Sequence, residues 1–173
     1  VKGSRFITHI KRLKDCRDSL KMFFENASAL EEKLFCALWQ LPPSQKIDLK
    51  KLEDFINLLK KHHSGCLHSF EFRHPTWFKE ETYQLLKNND INLCIADSPT
   101  FSTAEAITSS FVYLRFHGGK VLYGSEYSKE ELKEWAEKAK VWLKNSKLLF
   151  AFFNNDAQGF AVKNALKFRE LIT

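Results

Sequence analysis

No apolar run in the chain reaches the ~18 residues that a membrane-spanning helix needs, and no signal-peptide pattern opens it. A membrane partner is therefore not expected. Paired cysteines are missing too: Cys16, Cys36, Cys66 and Cys94 are scattered, with no Cys-x-x-Cys. That argues against a zinc module or a disulfide framework and for a reducing, cytoplasmic setting. His-x-His and His-Glu-x-x-His spacings are absent, so the residues assign no metal and no cofactor. Gly-x-Ser-x-Gly, Walker and dinucleotide fingerprints are absent as well. Nothing repeats, and no linker or low-complexity stretch interrupts the 173 residues, so a single structural unit is expected. The first residue is Val1 rather than methionine, and the chain is expected to begin part-way through a larger protein.

What is present is a globular composition with a rich aromatic complement. Hydrophobic residues make up 44%, charged residues 28% and aromatics 14%, with 16 phenylalanines, enough for a thick core. Lys and Arg total 27 against 21 Asp and Glu, a formal charge of +6. This fits a phosphate-bearing small molecule or a nucleic acid, and equally a solvated lysine-rich helical surface.

Helix and strand patterns alternate along the chain. Helical spacing occupies residues 15–32, 48–62, 77–89, 128–145 and 159–172, with Asp48 as an N-cap and Ser128 with Glu131 as a capping box. Apolar or alternating runs at 34–41, 67–74, 92–98, 111–117 and 148–153 read as strands, and residues 1–10 as a strand end with its loop. Residues 100–110 and the glycine- and tyrosine-bearing stretch 118–127 read as loops. Strict alternation predicts parallel strands joined by right-handed crossovers, about six units in all.

Each strand ends on polar residues. In order these are Lys2, Arg5 and His9; Gln40; Glu71, Arg73 and His74; Asp97; Arg115 and His117; and Asn154, Asn155 and Asp156. In parallel α/β folds the carboxyl ends of strands share one rim, where active sites lie. Glu71, Asp97, His117 and Asp156 are the candidate acid–base or metal-ligating groups. Lys2, Arg5, His9, Gln40, Arg73, His74, Arg115, Asn154 and Asn155 are the candidate substrate-binding set, with Arg73 and Arg115 as planar clamps for phosphate or carboxylate. Simpler roles stand beside these. Glu71 with Arg73 or Arg115 makes a self-contained ion pair, Asp156 an N-cap, and Gln40 a partner for backbone groups before Pro42 and Pro43. His62, His63 and His68 read as surface or core residues.

The stretches VKGSRFITHIKRLKD, QLPPS, FEFRHPTWF, CIADSP, VYLRFHG with its tyrosine-glycine-tyrosine loop, and FFNNDAQGFAVKNAL occur together and in order. In them the chain resembles the YecE-like proteins, the family of domain of unknown function seventy-two. The resemblance implies a TIM-barrel-like (β/α) fold and no assigned reaction. It is related in architecture to metal-dependent sugar isomerases and apurinic endonucleases, an analogy of fold alone. It also implies an incomplete barrel, because the family's first strand–helix units, about two of eight, have no counterpart here. Uncovered strand edges would then favour self-association. The two functions that follow are an enzyme acting at the strand rim on a phosphate- or carboxylate-bearing substrate, and a non-catalytic nucleic-acid-binding module using Lys2, Arg5, Lys11, Arg12 and Lys14.

Overall fold

The computed structural model describes residues 1–62, 65–101, 104–146 and 148–173. His63 and part of the 100–110 loop lie outside them. The chain divides into two compact units, Val1–Ile91 and Asn92–Thr173.

The first unit holds α1 (Arg17–Ala27), β1 (Cys36–Gln40), α2 (Leu49–His62), β2 (Leu67–Glu71) and α3 (Glu80–Lys87). β1 and β2 pair in parallel, with Trp39 beside Phe70 and Gln40 beside Glu71. On the other edge of β1, Lys2 forms a parallel bridge to Leu38. The α2 stripe Leu52, Phe55, Ile56 and Leu59 follows the helical repeat and is buried. Asp48 Oδ1 caps it by accepting from Lys51 N at 3.0 Å. Trp39, fully buried, packs its ring against Phe23, Phe24 and Phe55, which marks the helix-facing side of the strands. Gly3 lies so close that a Cβ there would overlap the Trp39 ring. The helix expected over 77–89 instead begins as a 3-10 turn, Pro75–Trp77, before α3. Proline at its first position and the His74 side chain at its cap start that turn early.

The second unit holds β3 (Asn92–Leu93), β4 (Ile95–Asp97), β5 (Phe111–Phe116), α4 (Lys129–Leu143), β6 (Leu148–Phe153) and α5 (Phe160–Ile172). β4, β5 and β6 form parallel ladders in that order, with β6 at the edge. Ile95, Val112, Leu114 and Phe116 meet Leu132, Ala136 and Ala139 of α4 and Phe168 of α5 in one buried cluster. The capping box at Ser128 is complete: Glu131 N donates to Ser128 Oγ at 3.1 Å and Ser128 N to Glu131 Oε2 at 2.7 Å. The architecture is thus α/β, with parallel strands and flanking helices. All four cysteines are buried thiols outside any disulfide.

Candidate functional site

In the first unit the period of two along each strand sorts the polar residues. Trp39 and Phe70 contact Phe55 of α2, so Gln40 and Glu71 occupy the opposite face. Glu71 is fully buried there. Arg73, two residues on, donates from Nε to Glu71 Oε1 at 2.8 Å. A buried carboxylate needs such a partner, because desolvating a lone charge is costly.

Three further predicted residues join this end of the unit. Residues Phe6–Ile10 form a π-helical turn, a local geometry that recurs at functional sites. The turn carries His9, whose Nδ1 lies 2.8 Å from Thr8 Oγ1; that hydroxyl also donates to Ser4 O at 3.0 Å. His9 is held below its ordinary pKa, first by burial and then by the positive fields of Arg5, Lys2, Arg73 and Arg12. Arg5, Lys2, Arg73 and Arg12 thus act on His9 through their charge, and of these Arg73 also pairs with the buried Glu71. His74 stands apart in role: its Nδ1 accepts from Thr76 N at 3.2 Å and caps the 75–77 turn.

The second unit separates its candidates by face. Asp97 stands in register with Phe116 and shares the parity of Ile95, the helix-facing side. Its Oδ2 accepts from Tyr127 Oη at 2.6 Å, and Gly118 N donates to the same phenol oxygen at 3.0 Å. Burial raises the Asp97 pKa; the Tyr127 hydrogen bond pulls against it, and Glu131 adds to it. Burial and Asp97 together also push the Tyr127 phenol up. Arg115 and His117 lie at alternate positions, on the opposite face. Arg115 Nη2 donates to Asn154 Oδ1 at 2.7 Å. His117 is fully buried, and its ring meets the edges of Phe101 and Tyr123, each at 5.5 Å.

Asn155 braces the loop above. Its Nδ2 donates to Ser125 O at 3.0 Å and to Asn164 Oδ1 at 2.8 Å. Asn164 in turn holds both backbone groups of Tyr127, each at 3.1 Å. Gly118, at φ +95°, permits the bend that brings its N–H to the phenol. Asp156 is exposed at the start of the 3-10 turn Ala157–Gly159, and its side chain makes no capping hydrogen bond, so the N-cap role does not hold.

Sequence reasoning missed Tyr127 as the partner of Asp97, Asn164 as the loop's anchor, and Gln45. The amide Nε2 and Oε1 of Gln45 are buried with no partner among the described residues, while its backbone oxygen accepts from Trp77 Nε1 at 2.7 Å. Asn164 carried a signal, a polar residue on the buried stripe of α5. Among the described residues no group of three or more His, Cys, Asp or Glu side chains could hold a metal, and no helix is long and apolar enough to cross a membrane.

Two solved structures resemble the chain closely. A Thermotoga maritima protein is 31% identical, superimposes with a TM-score of 0.86, and is matched over 99% of this chain and 72% of its own. An Enterococcus faecalis protein, 20% identical with a TM-score of 0.78 over 90% of this chain and 66% of its own, shares the fold. No curated protein matches the chain. Both solved structures are described as DUF72 family proteins, the model for protein of unknown function DUF72 matches residues 1–173, and the chain belongs to that family.

Proposed function

We propose that the protein is an enzyme that binds a phosphate- or carboxylate-bearing substrate at the carboxyl ends of its parallel strands, built from strand–helix units of the TIM-barrel kind. The observation that carries this reading is Arg73, held at 2.8 Å by the buried carboxylate of Glu71, and the positive fields of Arg5, Lys2, Arg73 and Arg12 that lower the His9 pKa are consistent with it. Arg73 is oriented by Glu71, so its guanidinium is held in place before a ligand arrives. Such preorganisation is what an anion clamp requires. Within the other unit, Arg115 is likewise oriented, by Asn154. Asp97, whose carboxyl gives up its proton less readily than usual, suits general acid–base work.

Inorganic phosphate is the simplest probe. It should raise the thermal midpoint in a saturable way, and Lys2→Ala with Arg5→Ala, both at exposed positions, should weaken binding at least tenfold with the fold unchanged. No phosphate-dependent rise, or binding indifferent to those substitutions, would refute the reading. Tighter binding to single-stranded DNA, with affinity falling steeply as salt rises, would instead favour a nucleic-acid module.

A further inference from the structure

Thr8 has a single hydroxyl hydrogen and two close polar neighbours. Its Oγ1 lies 3.0 Å from Ser4 O and 2.8 Å from His9 Nδ1. The contact to Ser4 O is the bond that a threonine in a helical turn makes to the carbonyl four residues back, and a carbonyl oxygen can only accept. The hydroxyl hydrogen is thereby committed. The second contact is then a hydrogen bond only if His9 Nδ1 carries a proton and Thr8 Oγ1 accepts it. The other tautomer would set lone pair against lone pair across one of the two short contacts. Thr8 is 1% exposed, so solvent gives little relief there.

In a neutral imidazole the bond made at one nitrogen fixes the role of the other. With Nδ1 as donor, Nε2 keeps its lone pair. Nε2 makes no hydrogen bond to the described residues, and the ring is only half-buried. Burial first, and then the charges of Arg5, Lys2, Arg73 and Arg12, disfavour the imidazolium. His9 is thus an uncharged acceptor on which four cations act. An oxyanion attracted by those cations meets a lone pair at Nε2, which repels a bare oxygen and accepts from an O–H.

We infer that Thr8 is a positioning residue that fixes His9 as its Nδ1–H tautomer, and that Nε2 thereby selects oxyanions that still carry an O–H, hydrogen phosphate over sulfate. The selectivity rests on the anion site proposed above; the tautomer does not.

Long-range proton–nitrogen NMR of the ligand-free protein reads the tautomer, with the His9 signals identified by their loss in His9→Gln. Wild type and Thr8→Ser should show Nδ1–H. Thr8→Val, which keeps the shape and removes the hydroxyl, should move toward the Nε2–H form that free histidine side chains prefer. At about pH 8, above the ordinary imidazole range, hydrogen phosphate and sulfate are tetrahedral anions of equal charge, and only phosphate keeps an O–H. Wild type and Thr8→Ser should bind phosphate on the order of tenfold more tightly than sulfate, the scale of one charge-assisted hydrogen bond, and Thr8→Val should reduce the ratio to about threefold or less. If Thr8→Val fails to fold, the wild-type spectrum and ratio decide. Nε2–H in the wild type overturns the inference, and so does equal binding of the two anions. Binding of neither anion refutes the anion site and the selectivity with it, while the ligand-free spectrum still judges the role of Thr8.

Discussion

Each compact unit ends a strand on a carboxylate, and the two carboxylates are treated in opposite ways. Glu71 is fully buried and meets a guanidinium, Arg73 Nε, at 2.8 Å. Asp97 meets a neutral phenol, Tyr127 Oη, at 2.6 Å, and burial makes its proton harder to lose. A carboxylate paired with an arginine positions that guanidinium. A carboxyl held by a phenol in a partly desolvated place is free to exchange a proton.

The most severe challenge to this contrast is to remove one partner of the charged pair. Arg73→Ala leaves Glu71 buried without that guanidinium and should cost about 3–5 kcal/mol in urea unfolding. The double variant Glu71→Gln with Arg73→Gln should recover part of that loss, because the buried carboxylate's charge is removed together with the guanidinium. A single-variant cost below about 1 kcal/mol would mean that Glu71 does not depend on Arg73, and the contrast would collapse.

The phenol side should respond more mildly. Tyr127→Phe strips a donor from Asp97 and an acceptor from Gly118 N, and should cost about 1–3 kcal/mol. The Tyr127 hydrogen bond lowers the Asp97 pKa against burial, so its loss should raise that pKa further. NMR titration of the Asp97 carboxyl in the variant checks the direction.

Much of this contrast was legible in the sequence at the level of elements, and little of it at the level of partners. The strand over 148–153 and the capping box at Ser128 follow from local pattern alone, and both are where the spacing places them. The Glu71–Arg73 pair was legible as well, because two residues apart on a strand means one shared face. Asp97 with Tyr127 was not. They stand 30 residues apart, and only the turn at Gly118 brings the phenol back over β4. The same parity rule that pairs Glu71 with Arg73 places Asp97 on the helix side, away from Arg115. A list of polar strand ends, taken without parity, merges those two faces.

Asp97→Asn probes the phenol-held carboxyl through pH. The folded-state pKa of Asp97 lies above its unfolded value. Its contribution to stability is therefore present below the unfolded pKa and is lost as pH rises through the folded one. Across that window the wild type should lose stability relative to Asp97→Asn, which has no proton to release there. Urea unfolding of both proteins over the carboxylate pH range reads the difference. Equal pH profiles for the two would show that Asp97 titrates as an ordinary surface carboxyl.

The smallest effect belongs to His9, and it reports directly on the clamp. Burial first, and then Arg5, Lys2, Arg73 and Arg12, hold its pKa below the ordinary value. A depressed pKa means that the neutral ring's contribution to stability is present above the unfolded value and is lost as pH falls through the folded one. An anion seated among those cations would offset their field, so phosphate should move the His9 titration upward and take up a proton on binding. Arg5→Ala should move it upward without phosphate, and only modestly, because solvent and salt screen the field of an exposed arginine. Histidine NMR shifts followed from about pH 5 to 8, with and without phosphate, distinguish the two causes. An upward movement with Arg5→Ala but none with phosphate would leave a basic surface that senses its own charges and holds no ligand.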